Sequence, residues 1–463
     1  MKLPKYLFFL FFSLFIKIIS LNESEEKIIF AWQMHRHGAR APYLGVQNGV
    51  DVYKENWTQI EELSEVGKRM LYLLGVKVRK RYIDEFELLS KNYDPQEIYI
   101  RSTDVNRTIE SIESFLQGLY PSGTGPTIED KILNNTNVTY PPNKKYKESF
   151  ENITNEYDLN NNNWALPFGM SVLPVHLFYK PAHEFGLYDP NVCPGHKEIN
   201  MEQKIRTEVI DFGHSLLKNF TFFPKLENVD ESNITFMEDY WTIYKYMDGF
   251  VCDDTDQRRF DYMRKTFSFD EEKKELLKNA SDIFLKMDYF GTNYPEGHDE
   301  IPIMANSYTM HSLVNWMEEA IKGIENNTKY IKYVIFSAHD SSIGALEHFM
   351  KYAFNIIPQY AKFAETRFFE LYINNQKEKR VRYLKGDKTT IKDMTFDEFR
   401  KAINEKTWSD EKVAEFCHFE KKNDNNNNNL DDDKEQAPII ILTLLIIVNL
   451  ILLLVLIVAC FKK

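Results

Sequence analysis

The chain has 463 residues, a formal charge of −12, and 43% hydrophobic and 14% aromatic residues. That hydrophobic share supports a large folded core, and the acidic balance argues against nucleic acid and against a general electrostatic pull toward anionic lipid. Any attraction for phosphate must therefore be local.

The first segment, residues 1–20, begins with Lys2 and Lys5, runs through apolar Tyr6 to Ile16, and closes near Ser20 before polar Asn22-Glu23-Ser24. It reads as a secretory signal peptide, with an uncleaved anchor as the alternative because Lys17 interrupts the apolar run. The run Ile28-Ile29-Phe30-Ala31-Trp32 then predicts a buried strand leading into Arg36-His37-Gly38-Ala39-Arg40-Ala41-Pro42. Two guanidiniums there flank one imidazole, and planar guanidinium forks match phosphate oxygens. Gly38 permits a close backbone approach or a turn that a side chain would block. His37 is a candidate nucleophile toward phosphorus. Taken alone, the motif also reads as a basic turn on a solvated face, and His35 beside it reads as a strand-end residue without chemistry.

A second short run, Glu97-Ile98-Tyr99-Ile100, leads into Arg101. Ser102 or Thr103 is the expected N-cap of a following helix, with Val105, Ile109, Ile112, Phe115, Leu116 and Leu119 at helical spacing. Asp104 and Arg107 read as a structural pair at its start. Asn106 opens an N-x-T triplet so close to the expected site that a glycan would obstruct it, so it is expected to stay unmodified. Residues 125–300 are the least readable part, with Pro167, Phe168, Tyr179 and Pro181 among many asparagines, and are expected to shape substrate choice.

A cysteine-phosphatase spacing occurs from Cys252 to Arg258, but Asp253, Asp254 and Asp256 inside it would repel phosphate and disfavour a thiolate. Cys193, Cys252 and Cys417 allow one disulfide in an oxidising compartment, with the connectivity open. Tyr333-Val334-Ile335-Phe336 is the third strand signal, leading into His339 and Asp340 and then a helical rhythm at Ile343, Leu346, Phe349 and Met350. Strand, charge and helix thus recur three times. This pattern expects a doubly wound, mostly parallel α/β sheet with helices on both faces, whose ligand sits at the carboxyl ends of the strands beside helix N-termini.

The polar run Lys421 to Glu435 has nothing to bury and reads as a disordered stalk. Pro438 to Phe461 is apolar except for Thr443 and Asn449, long enough to span a bilayer, and followed at once by Lys462 and Lys463. A single-pass protein with its bulk luminal or extracellular is expected; a cleaved glycolipid-anchor signal is the alternative. N-x-S/T triplets from Asn22 to Asn326 agree with luminal exposure.

Together, Arg36 to Pro42, Arg101-Ser102-Thr103-Asp104-Val105-Asn106-Arg107-Thr108 and Ser337-Ala338-His339-Asp340 resemble the histidine acid phosphatase family, the branch that holds lysosomal and prostatic acid phosphatases and several phytases. Leu63 to Gly67 with Arg79 to Tyr82 resembles the family's first long helix. The resemblance implies that His37 is the nucleophile and forms a phosphohistidine, and that Asp340 protonates the leaving alcohol. It also implies that Arg36, Arg40, Arg101 and His339 hold the phosphoryl oxygens. A disulfide between Cys193 and Cys252 is implied in the same way, as is a possible homodimer. An aspartic acid that must be protonated implies an acid pH optimum. The arrangement calls for no metal and no cofactor.

These readings divide the chain into a signal peptide (1–20), an ectodomain (21–420), a stalk (421–437), a transmembrane helix (438–461) and a cytoplasmic tail (462–463). The ectodomain holds an α/β lobe at about 21–125 and 300–420 and a helical lobe at about 125–300. The expected activity is hydrolysis of small phosphomonoesters by a membrane-anchored acid phosphatase in a lysosome-like compartment or at the cell surface. A phytase or lysophospholipid phosphatase of the same fold is one alternative. A non-catalytic, phosphate-binding adhesion or receptor ectodomain is another.

Overall fold

A computed structural model describes residues 26–42, 61–129, 163–177, 193–196, 198–199, 248–249, 251–252, 255, 272, 275, 299–359 and 361–418. The expected signal peptide, most of the inserted lobe, Arg258, the stalk and the apolar run at 438–461 lie outside these residues. Among the described residues no helix is long and apolar enough to cross a membrane. The chain divides after Cys417, and every element below belongs to the unit Met1–Cys417.

The described strands are β1 (Lys27–Arg36), β2 (Ile98–Ser102), β3 (His176–Leu177), β4 (Tyr333–Ala338), β5 (Thr366–Ile373), β6 (Lys379–Lys385) and β7 (Thr390–Thr395). They form one seven-stranded sheet in the order β3-β2-β4-β1-β5-β6-β7. The half from β3 to β1 is parallel, and β5, β6 and β7 continue it antiparallel. The three strands expected from sequence are the adjacent β2, β4 and β1. Of these, β1 runs on to Arg36 because, paired on both edges, it buries even Gln33, His35 and Arg36.

Six α-helices are described end to end: α1 (Glu65–Arg79), which runs on into a π-helical turn at Lys80–Glu85, α2 (Asn106–Leu119), α3 (Glu300–Asn326), α4 (Asp340–Phe354), α5 (Phe396–Lys406) and α6 (Asp410–Phe416). One face of the sheet packs Trp32, Met34, Val334 and Phe336 against Met310 and Met317 of α3, Ile343 and Phe349 of α4, and Phe399 of α5. The other packs Ala31, Ile100, Tyr333 and Ile335 against Leu71 and Val78 of α1 and Ile112 and Phe115 of α2. Burying each such side chain stabilises the fold by roughly 1.5–3 kcal/mol before chain entropy is counted. Helices on both faces hold the central strands rigid where the charged groups emerge.

Two expectations about this frame need correction. The N-cap of α2 is Val105, without a side-chain cap bond, rather than Ser102 or Thr103. The Thr103 hydroxyl is committed elsewhere, 2.7 Å from Thr108 Oγ1 and 3.0 Å from His339 Nε2. The disulfide joins Cys193 to Cys417, at the end of α6, and not to Cys252. Pairing depends on proximity in space, and the two Cα atoms lie 4.6 Å apart across 224 residues of sequence. Cys252 instead keeps a buried thiol, packed with Ala39 and Phe363.

Candidate active site

Strand register assembles the site. Arg36 is level with Ala338, and Ser102 with Ser337, so β1, β2 and β4 end together. The His37 amide then donates to Ala338 O at 2.9 Å and the Thr103 amide to Ser337 O at 3.2 Å, which brings the three strand ends side by side. His339 follows β4 as the extended N-cap of α4, and Asp340 is the first residue of that helix. The His37 and His339 ring centroids are 5.6 Å apart.

The loop after β1 lies on α1. A Cβ on Gly38 would overlap the Gly67 carbonyl, and one on Gly67 would overlap the Ala39 carbonyl. The close approach anticipated at Gly38 is therefore made by a helix. Ser64 caps α1 by accepting from the Gly67 amide and also donates to Ala39 O at 3.1 Å, tying helix start and loop together. The Gly38 amide donates to Ser111 Oγ of α2 at 3.1 Å.

His37 is buried, with Nδ1 2.9 Å from Gly38 O. A carbonyl only accepts, so Nδ1 carries the proton and the lone pair is on Nε2. Burial, then Arg36, Arg107, Arg40 and His339, hold the ring well below the usual histidine range. An ordinary histidine would be mostly protonated at pH 5 and useless as a nucleophile, so this environment keeps the ring neutral in acid. His339 is likewise pushed down to about 3 by burial and by Arg107, Arg36 and Arg40, against the opposing pull of Asp340.

Three nearby guanidiniums, those of Arg36, Arg40 and Arg107, have carboxylate partners. Arg36 Nη2 is 2.8 Å from Asp340 Oδ2, its Nη1 donates to Ala361 O at 2.9 Å, and its Cζ lies 4.1 Å from the Phe363 ring centroid. Arg40 binds Asp248 through two bonds of 3.1 and 2.7 Å. Its Nη1 is also 3.7 Å from Cys252 Sγ. Arg107 Nη1 donates to Glu61 Oε2 at 2.9 Å. Burial favours the neutral acid of Asp340, but Arg36, Arg40, His339 and the Ser341 amide outweigh it and leave the carboxyl below its usual range.

The structure thus brings Arg36, His37, Arg40, His339 and Asp340 together. Arg101 is buried near the end of β2, level with Phe336 and His176. The third arginine among the leading charges on both His37 and His339 is Arg107. The sequence reading pairs Arg107 with Asp104, whereas its partner is Glu61, and among the described residues its buried Nε has no hydrogen-bond partner. Its place in the first turn of α2, the helix that starts beside the site, was the available signal. Asp248 was missed because nothing in the inserted segment marks it. Asn106 donates to Glu62 Oε1 at 3.0 Å, so its amide nitrogen is already engaged in a side-chain bond.

Fold and site define an α/β protein whose parallel strand ends carry an arginine-rich cluster around two buried histidines held neutral, suited to a phosphoryl group. The chain belongs to the histidine phosphatase superfamily (branch 2), whose model matches residues 27–385. It is 26% identical to a lysosomal acid phosphatase of Xenopus laevis over 365 residues, covering 78% of this chain and 69% of that one. It is 25% identical to putative acid phosphatase 10 of Caenorhabditis elegans over 413 residues, covering 83% and 91% respectively. The phytase structure from Citrobacter braakii has the same fold, with a TM-score of 0.55 at 12% identity, over 83% of this chain and 99% of that one. Family and relatives support a phosphomonoester hydrolase.

Proposed function

We propose that this protein hydrolyses small phosphomonoesters at acid pH in two steps through His37. One observation carries the reading: the Nδ1–H bond to Gly38 O leaves a neutral Nε2 lone pair amid Arg36, Arg40 and Arg107. In the first step Nε2 attacks phosphorus and the bond to the ester oxygen breaks. Asp340 donates its proton to the departing alcohol, giving a phosphohistidine. In the second step water attacks that phosphorus, Asp340 takes a proton from the water, and the N–P bond breaks to release inorganic phosphate and neutral His37. Arg36, Arg40 and Arg107 hold the equatorial oxygens as charge spreads over them. His339 adds a further contact that a bound phosphate would make more basic, and Arg101, the sequence-based candidate, is ranked after Arg107.

The division into ectodomain, inserted lobe, stalk and span is proposed on the sequence grounds given above. A leader at 1–20 and an anchor at 438–461 would place the site in the secretory pathway, and the lysosomal relative supports an acid compartment. The test is phosphate release at pH 5 by the purified full chain in detergent, from an alkyl monophosphate and a dialkyl phosphate. Only the monoester should react, and His37→Ala should abolish the reaction. Diester cleavage, or unchanged turnover in His37→Ala, would reject the reading.

A further inference from the structure

The three arginine–carboxylate pairs of the pocket are not equivalent. The side chains of Arg40 and Asp248 are 6% and 7% exposed, and those of Arg36 and Asp340 are 3% and 21% exposed. Glu61 is the most accessible of the three carboxylates, at 33%, and its partner Arg107 is 17% exposed. Glu61 also has a φ of 63°, in the left-handed region where a long side chain is uncommon and glycine is at ease.

The surrounding backbone holds Glu61 against the phosphate loop. Arg40 and Leu63 form an antiparallel bridge, the Ala41 amide donates to Glu62 O at 2.9 Å, and the Glu61 amide donates to Pro42 O at 3.3 Å. Glu62, bonded to Asn106, adds a second carboxylate beside the start of α2. Negative charge therefore stands next to Arg107, whose buried Nε has no hydrogen-bond partner among the described residues.

We propose that Glu61 is a positioning residue that orients Arg107 and makes the pocket select lone phosphates over groups that carry a second phosphate beside the first. The inference rests on the phosphatase reading of the same site and deepens it. A single phosphoryl group meets Arg107 through its Nε and remaining N–H donors while Glu61 keeps its own bond. A neighbouring second phosphate would be brought toward the Glu61 carboxylate, and like charges at short range repel.

The test compares orthophosphate and pyrophosphate affinities by calorimetry at pH 5 for the full chain and for Glu61→Gln, Glu61→Gly and Glu61→Asp. The kcat and KM of each are measured in parallel on an alkyl monophosphate and the corresponding vicinal bisphosphate. Gln and Gly should each shift the affinity ratio toward pyrophosphate by about tenfold, chiefly through KM in the kinetic comparison, and Asp should keep the native ratio. Gly separates charge from backbone strain, since it adopts the left-handed conformation freely. A ratio that stays within about twofold in Glu61→Gln, or that moves in Gly but not in Gln, would overturn the proposal. If the unaltered protein hydrolyses no monoester, the phosphatase reading falls, while the calorimetric ratio still decides the role of Glu61.

Discussion

Arg36 Nη2 and Asp340 Oδ2 form a 2.8 Å ion pair, so the arginine expected to grip the phosphoryl group also keeps the expected acid ionised. A phosphate that takes Arg36 removes the strongest interaction holding the Asp340 carboxyl down. The carboxyl then rises toward and above its ordinary value beside the new anion, and a proton that arrives with the substrate can pass to it. The proposed mechanism thereby couples acid and substrate through a single guanidinium.

That coupling fixes the alkaline limb of the pH profile. Asp340 is depressed in the free protein and so carries no proton at pH 5, and the reactive substrate must be the monoanion, whose second pKa is about 6. We expect kcat/KM for an alkyl monophosphate to fall about tenfold per pH unit above that value, and no decline from protonation of His37 as the pH drops through 6.5, because that ring stays neutral well below it. Rate measurements from pH 4 to 9 check this, and an activity maximum above pH 8 would contradict it.

Asp340→Asn removes the acid without removing the side chain. Turnover of an alkyl monophosphate should fall by roughly 10²–10⁴-fold, and that of a nitrophenyl phosphate, whose leaving group needs little protonation, by far less. Equal losses on both substrates would assign Asp340 to binding instead.

Arg107 and Arg101 make a paired test. Arg107→Ala should lower kcat/KM by about 10²–10³-fold, the scale for losing one donor to transition-state charge. It should also raise the pKa of His37, because a positive neighbour has been removed. Arg101→Ala should act chiefly on stability and leave kcat/KM of the folded protein within about tenfold. Steady-state kinetics with NMR titration of the histidines separates the two.

The disulfide makes a prediction independent of chemistry. Cys193→Ser and Cys417→Ser should each lower stability by about 2–5 kcal/mol, because the bridge closes a long loop, whereas Cys252→Ser should cost less than about 1.5 kcal/mol. Denaturant titrations without reductant give these values, and peptide mapping should recover the 193–417 link.

The central strands were legible because Ile28 to Trp32, Ile98 to Ile100 and Tyr333 to Phe336 are β-branched or aromatic runs that end in charge, a pattern with few other solutions. His37, its two flanking arginines, His339 and Asp340 sit within or directly after those runs and could be read with them. The antiparallel half was not legible. Lys379–Lys385 alternates basic and apolar residues like a solvated ribbon, and β5 hides Arg367 and Glu370 by pairing them with Glu347 and with Arg81 and Arg382. Arg107 was set aside for a similar reason. A charge in a first helical turn looks like a local cap partner, and only the placement of Glu61 far back in the chain reveals its direction. Asp248 and the true disulfide depend on three-dimensional return of the inserted segment, which no local pattern encodes.

The most direct measurement is rapid trapping of the phosphorylated protein in alkaline denaturant, where a phosphohistidine survives. The full chain is mixed with a phosphate-labelled monoester at pH 5 and denatured within milliseconds to seconds, and the labelled peptide is mapped. An acid-labile adduct on Nε2 of His37, absent in His37→Ala and slower to form with an alkyl ester in Asp340→Asn, is the predicted result. Label on another residue, or turnover persisting in His37→Ala, would contradict the two-step mechanism at His37.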